Sequence, residues 1–492
     1  MANEGRLLRT HLLCFLLWPV LLLLFVPLLP IIPIIFILKA TEYAVYRTLH
    51  DARILPHEDI LWTISSEGNQ FLINAALTVD GRMEVKELLQ LVDYSMVNAR
   101  DENGRLVYWK CKRRIVAGFL NYYWLPDQQF DIKDHVNELD NNPENEDELR
   151  EVMSQHRSTK LNLHSPWEFT LIPHTLNGVV KTLIFVRLSH AIADGSALAY
   201  FLVTRLGHRC TDVTEDVEVP VPTFSHIRKE FSHRDRLLMH LKALWILPVA
   251  QTESLFAQSD SNPLQGKPTG KKTITWTPPI DLQLIKRMKN NLRCTVNDLL
   301  MALITKTLTD YFRQFHSERS TFRMSLLLPV DVRSSPAEAE RFNNKLAAIF
   351  FRVPLNDANI VSLVQNIKSQ MDHVKSSGEA FSSIIGWRFI SYILPPCFSI
   401  KCAKWMVGKA TGSVSNLIGP QKTIAIGKHS VDSVVFWSPQ INEHCFGASF
   451  CSYKGCVVMG LEGDQAVLER PSVLVKLFEE NINHLKRLVD SL

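Results

Sequence analysis

Residues 181–206 read KTLIFVRLSHAIADGSALAYFLVTRL, and this stretch decides the fold. Lys181 to Leu188 are mostly β-branched, aromatic and aliphatic, with no breaker among them, the pattern of a buried strand. Gly195 and Ser196 then open an apolar helix through Ala197, Leu198, Phe201 and Leu202. SHAIADG therefore occupies the turn between strand and helix. A polar loop held between two buried elements is where a rigid scaffold displays reactive groups. His190 can titrate near neutrality and act as a general base. Asp194 is spaced to orient the imidazole or to brace the loop, and Gly195 permits a tight turn. The same residues also fit a histidine satisfied at a strand end, with Asp194 as the N-cap of the following helix.

Length and charge narrow the field. At 492 residues the chain exceeds what one core supports, so two domains of about 200 residues each are expected. A formal net charge of +4 is small for this length, and no basic block is interleaved with aromatics, which argues against a nucleic-acid partner. Nine cysteines are dispersed from Cys14 to Cys456 without a C-x-x-C pair or a His/Cys cluster at metal spacing. They read as reduced thiols in a body facing the cytosol, with no metal site.

Working outward toward the N-terminus, Leu12 to Leu38 holds no charged residue and is flanked by Arg6, Arg9 and Lys39. Such a run is long enough for a membrane helix and too long for a signal-peptide core. Pro27, Pro30 and Pro33 argue against one straight helix through its second half. Residues 1–40 are therefore expected to form a membrane anchor, as a single span ending near Pro27 or as a hairpin.

Residues 41–215 read as one α/β unit carrying SHAIADG. Strand-like runs occupy Leu61 to Val79, Arg105 to Tyr108 and Arg114 to Tyr123, and a helix fits Glu84 to Val92. Residues 216–275 read as a linker or crossover, from VEVPVPTF to QSDSNPLQGKPTGKK. Within it, Arg234 to Leu255 mixes basic and apolar residues, fitting either an interfacial helix on a bilayer or a helix packed on the body. Gly266 and Gly270 stand one residue too close for a phosphate-binding loop. Residues 276–492 read as a second α/β unit. Its helix from Val296 has Thr295 and Asp298 placed as a capping box, and Ser383 to Val407 reads as a packed helix. The closing strands include SVSNLIGP and VDSVVFW.

SHAIADG resembles the His-His-x-x-x-Asp-Gly signature of the CoA-dependent acyltransferase superfamily. Four further segments in order narrow the resemblance: YYWLPDQQFDIKDHV (122–136), SPWEFTLI (165–172), TVNDLL (295–300) and SNLIGP (415–420). Together they resemble the wax ester synthase/diacylglycerol acyltransferase family over roughly residues 55–490. One position departs from the pattern, because Ser189 stands where the first histidine is usual. The second histidine, which serves the family as base, is present as His190.

This resemblance implies an α/β fold of two similar domains of the chloramphenicol acetyltransferase type, each a mixed sheet flanked by helices, with an N-terminal membrane segment. It implies acyl-CoA as co-substrate, no bound cofactor, and a fatty alcohol or diacylglycerol as acceptor. A sterol or short alcohol is the alternative acceptor, and a lipid-binding protein without turnover is the alternative outside enzymes. His190 would be the base, and Asp194 would brace the loop through Arg333 as its ion-pair partner. Ser189, Gly195, Asn297, Asp298, Ser415, Asn416, Gly419 and Pro420 would line the substrate path, with Asp298 also fitting a cap. Trp167, Tyr122 and Tyr123 read as core. The lipidic substrates would place the protein at a membrane, that of the endoplasmic reticulum, with the catalytic body in the cytosol.

Overall fold

The central strand runs from Val179 to Ser189 and lies inside a six-stranded sheet. A computed structural model describes residues 2–66, 68–207, 233–316, 322–333, 335–355 and 359–491. The linker stretch VEVPVPTF lies outside the described residues. The strand's neighbours are Leu72–Asp80 and Trp167–Leu176, both antiparallel to it. With Val136–Glu138 running parallel to Trp167–Leu176, the sheet is mixed. A seven-stranded mixed sheet forms in the second half, with Leu346–Arg352, Ser325–Asp331, Gly412–Ile418, Phe446–Tyr453, Cys456–Asp464 and Lys272–Trp276 in spatial order and Ile280–Asp281 also paired to Cys456–Asp464. The chain thus has an α/β fold built on mixed sheets with flanking helices.

One strand crosses between the halves. His429–Trp437, the VDSVVFW run, joins the first sheet by pairing antiparallel with Leu72–Asp80, and carries the short strand Ala425–Ile426 outside it as the edge. Alternating apolar residues specify a strand and leave its partner open. A buried ion pair fastens the halves elsewhere. Arg157, on the helix Glu146–Ser158, reaches Glu462 of the second sheet at 2.7 Å, beside a buried pair within that sheet, Lys272 with Asp464 at 2.9 Å.

Within the second sheet, Gly412 and Phe446 are register partners in a parallel pair. A Cβ on Gly412 would stand 2.1 Å from the Phe446 carbonyl oxygen, with no flexible side chain to yield. Gly412→Ala should therefore lower stability by about 1–3 kcal/mol, the usual cost of forcing atoms into a packed core. An unchanged urea midpoint for this variant would refute the close approach.

Several local expectations shift. Leu61 and Trp62 fall in the 3₁₀ turn His57–Thr63 instead of a strand, since the strand proper starts at Leu72. Arg105–Tyr108 makes one isolated bridge, Leu106 with Arg100. The run from Arg114 to Tyr123 splits into a hairpin, Arg113–Ala117 and Tyr122–Pro126. Ser383–Val407 is two helices, Glu379–Ile393 and Pro396–Val407, because Pro395 and Pro396 forbid helix continuation.

The apolar N-terminus forms the helix Ala2–Phe25, a turn at Val26–Leu28 and a second helix, Ile31–His50. Pro27 and Pro30 fall in the break, whereas Pro33 sits in the first turn of the second helix, where no intrahelical N–H is required. The second helix docks on the body. Glu42 accepts from the Phe119 and Leu120 N–H groups at 2.6 and 2.9 Å, Tyr46 stacks on Tyr123, and Lys39 Nζ donates to the Tyr392 carbonyl at 2.6 Å. The first helix packs on His233–Phe256: Cys14 is buried against Ile246 and Val249, and Trp18 Nε1 donates to the Trp245 carbonyl at 3.0 Å. That helix in turn packs on Glu379–Ile393, where Gln251 Nε2 donates to the Ser382 carbonyl.

Candidate active site

His190 begins where the central strand ends, its N–H donating to the Phe71 carbonyl at 3.0 Å. That bond fixes the turn, and the ring then lies against two aromatics. The Trp62 and Phe71 centroids stand 4.3 and 4.9 Å from it, both rings stacked nearly parallel to it. Burial among these rings pushes the imidazole down to about 4, outweighing Asp194 and the Asn344 hydrogen bond, which both raise it. His190 is therefore neutral at physiological pH, the form a base requires.

Its Nδ1 lies 3.1 Å from Asn344 Oδ1. The Asn344 amide lies close enough to the Asp59 carboxylate to lower its pKa, although its buried Nδ2 makes no hydrogen bond among the described residues. An amide oxygen only accepts, so Nδ1 carries the proton and Nε2 keeps its lone pair. Asp59 also accepts from Trp62 Nε1 at 3.1 Å, and burial pushes its carboxyl up to about 6. Asp59, Trp62 and Asn344 form one cluster against the imidazole.

Asp194 does two jobs. Its Oδ1 accepts the Ala197 N–H at 3.0 Å as N-cap of the helix Gly195–Phe201. Its Oδ2 accepts from Arg333 Nη2 at 2.7 Å and from the Lys345 N–H at 2.8 Å. Arg333 further donates to Asp331 Oδ2 and Asn343 Oδ1 at 3.0 and 2.7 Å. From the opposite side Lys110, buried, donates to the Ile192 carbonyl at 3.1 Å. The loop carrying His190 is thus clamped by one cation from each half of the chain.

The other residues singled out in the sequence fall nearby in varying degree. Ser189 Oγ accepts the Ala191 N–H at 3.4 Å and is spent within the loop. Gly195 keeps a negative φ, and a Cβ there would make ordinary contact with Leu417 at 3.5 Å, so no tight turn requires it. Leu417 belongs to SNLIGP, which places that motif against the first turn after Asp194. Asn416 donates to Asn297, joining SNLIGP to TVNDLL. Asp298 is fully buried and completes the capping box, its Oδ2 accepting the Thr295 N–H at 2.9 Å. Ser415 is half-buried on the strand Gly412–Ile418. Gly419 donates to the Ser452 carbonyl at 2.8 Å, and that oxygen would lie 2.3 Å from an added Cβ; Pro420 accepts the Lys454 N–H.

Asp59, Trp62, Lys110, Asn343 and Asn344 were not legible in the sequence as site residues. Asp59 and Trp62 share only an i, i+3 spacing, and Asn343-Asn344 merely precede a strand. A cavity of about 1230 Å³ reaches this cluster, with Asp59, Trp62 and Asn344 in its wall. His190 keeps 6% of its surface exposed. Among the described residues no His/Cys/Asp/Glu cluster could hold a metal ion.

Known proteins resemble this chain in sequence and in fold. Residues 93–257 match the wax ester synthase/diacylglycerol acyltransferase catalytic domain, and residues 342–486 match the C-terminal domain of the same family. Wax ester synthase/diacylglycerol acyltransferase 11 of Arabidopsis thaliana is 23% identical over 408 residues, covering 73% of this chain and 81% of its own. The fold matches a wax ester synthase/diacylglycerol acyltransferase from Marinobacter aquaeolei VT8, with a TM-score of 0.60, 14% identity, and coverage of 89% of this chain and 99% of that one. A condensation domain of the calcium-dependent antibiotic synthetase also matches, with a TM-score of 0.57, 14% identity, and coverage of 89% and 96%.

Proposed function

This chain belongs to the wax ester synthase/diacylglycerol acyltransferase family and is an acyltransferase, and from that premise we propose that it transfers a long acyl group from acyl-CoA to a fatty alcohol or diacylglycerol at a membrane. The observation that carries this reading is the neutral imidazole of His190, tethered through Nδ1 by Asn344 beside a large cavity.

In this reading the alcohol oxygen attacks the thioester carbon while His190 Nε2 takes the hydroxyl proton. The carbon–sulfur bond then breaks, and the imidazolium returns the proton to the departing thiolate, giving ester and free CoA. No acyl-enzyme is needed. Asp194 and Arg333 hold the loop and do not exchange the proton. Asn416, Asn297, Ser415, Gly419, Pro420 and Gly195 shape the path where the halves meet; Ser189 and Asp298 support loop and helix. The working division is an anchor at 1–40, a first domain at 41–215, a crossover at 216–275 and a second domain at 276–492, with the strand 429–437 lent to the first. The anchor reading is supported by one apolar stretch, Arg9–Leu28, long enough to cross a bilayer and almost wholly exposed. The endoplasmic reticulum, with the body in the cytosol, suits reduced cysteines and lipidic substrates.

Protein purified in detergent, given palmitoyl-CoA with hexadecanol or dipalmitoylglycerol, should release CoA thiol and form the matching ester. Thiol release with neither of these, nor with a sterol or short alcohol, would favour the lipid-binding reading, which the serine at position 189 supports.

Asn344→Leu removes the acceptor that holds the tautomer. Partners that fix an imidazole in this way are worth roughly 10–100-fold at metal sites, and a similar fall in kcat with little change in KM is expected. An unchanged kcat would remove Asn344 from the reaction.

A further inference from the structure

The cavity that ends at His190's partners begins at the N-terminal helices. Its inner wall holds Asp59, Trp62 and Asn344, and its middle is aliphatic, from Ile349, Ile384, Ile385 and Val407. Its outer wall comprises Ile246 and Val249 on the helix His233–Phe256, with Thr10 and His11 on the helix Ala2–Phe25. Those two histidine-bearing helices are latched together there, since Trp245 Nε1 lies 2.9 Å from His11 Nδ1. We propose that this cavity is a lateral inlet, through which a lipid alcohol dissolved in the bilayer reaches His190 without crossing water. The proposal rests on the membrane-anchored acyltransferase reading above and adds to it the route and the side from which the acceptor arrives.

Three observations support the route. Thr10 and His11 fall in the first turn of the apolar span Arg9–Leu28, so the mouth opens at the level of the bilayer interface. The hydroxyl of a lipid alcohol sits at that same level, with its chains below. Trp245, whose Nε1 donates to His11, marks this zone, as aromatics do at membrane boundaries. Next, the surface around the mouth is apolar. Leu237, Leu238, Leu241 and Leu244 are exposed on the helix that forms the wall, and Phe398 and Trp405 on the helix Pro396–Val407. Clustered exposure of this kind on neighbouring helices is costly in water and fits an interfacial face. Finally, the volume of about 1230 Å³ exceeds the roughly 300–1,000 Å³ of an ordinary small-molecule cleft, leaving room for long aliphatic chains.

Charge assigns the inlet to the acceptor rather than to acyl-CoA. Its wall holds acidic Glu58, Asp59, Glu253 and Glu379 together with basic Lys242, Lys345, Arg352, Arg388 and Lys409. Charges of both signs create no field selective for the phosphates of CoA, which must approach from another side.

The test uses the full chain in phosphatidylcholine vesicles that contain a diazirine-bearing diacylglycerol. Flotation reads the anchor, and photolabelling reads the inlet. Labelled peptides should include Ile246, Val249 and Ile384. Ala250→Trp, which narrows the outer wall, should reduce that label and transfer from palmitoyl-CoA to the embedded acceptor at least tenfold, with palmitoyl-CoA binding within twofold of the parent. A protein that floats but carries its label only outside residues 240–258 and 379–390 overturns the inlet and leaves the anchored reading standing. Full transfer by Ala250→Trp does the same. A parent that does not float overturns the anchor, and the lateral route with it.

Discussion

Replacing His190 with alanine is expected to reduce CoA release from palmitoyl-CoA and a lipid alcohol by about 10²- to 10⁴-fold, the usual worth of a positioned general base. The residue that remains cannot take the hydroxyl proton, and no other imidazole contacts Trp62, Phe71 and Asn344 together among the described residues. Palmitoyl-CoA binding should change little, because the base acts on the acceptor hydroxyl and the substitution removes a ring without adding bulk. Release by the variant at the parental rate would end the role of His190 in the reaction.

The pH dependence follows from the same burial. In the fold the ring is held down to about 4, against an ordinary value of 6.5. The rate should therefore be flat on its acid side through pH 6 and fall only as pH approaches 4. Stability moves in the same direction. Below 6.5 the unfolded chain takes up a proton that the folded chain refuses, so the contribution of this site is lost progressively as pH falls from 6.5 toward 4. His190→Ala should lessen the slope of that part of the stability curve without removing it, since burial also pushes His57 and His444 down to about 4, a change readable from urea midpoints at pH 4.5 and pH 7.5.

Arg333→Ala is expected to lower stability by about 3–5 kcal/mol, since it leaves the buried Asp194 carboxylate without its cation. Asp194 would keep two backbone donors, Ala197 and Lys345, but neither carries charge. The helix Gly195–Phe201 and the strand Leu346–Arg352 both meet at this carboxylate, so slackening there moves His190 and Asn344 together. A fall in kcat should accompany the loss of stability. Arg333→Lys should restore only part of either, because one ammonium cannot span Asp194, Asp331 and Asn343 as the planar guanidinium does. A loss no larger than about 1 kcal/mol, the worth of an exposed pair, would show that the clamp does not hold the loop.

Much of the site was legible because it is local. Strand, turn and helix between Lys181 and Leu206 are written in the order of their apolar residues, and Asp194 is recognisable as a cap from its place before Gly195. The capping box at Thr295 and Asp298 is equally local. Arg333 could be named as Asp194's partner through the family resemblance, although 139 positions separate them. Asn344 could not, because a lone asparagine before a strand has no pattern that distinguishes a ligand from a turn.

By itself, then, the sequence determined the chemistry-bearing loop, the α/β character and the apolar N-terminus, since each depends on side chains within a few turns of one another. The tertiary structure decided which residues press on the imidazole and hold its tautomer. It also decided that the strand His429–Trp437 belongs to the first sheet and that the cavity runs out to the N-terminal helices. Periodicity tells which face of an element is buried. What covers that face is set by chain closure over hundreds of residues, which no local spacing encodes.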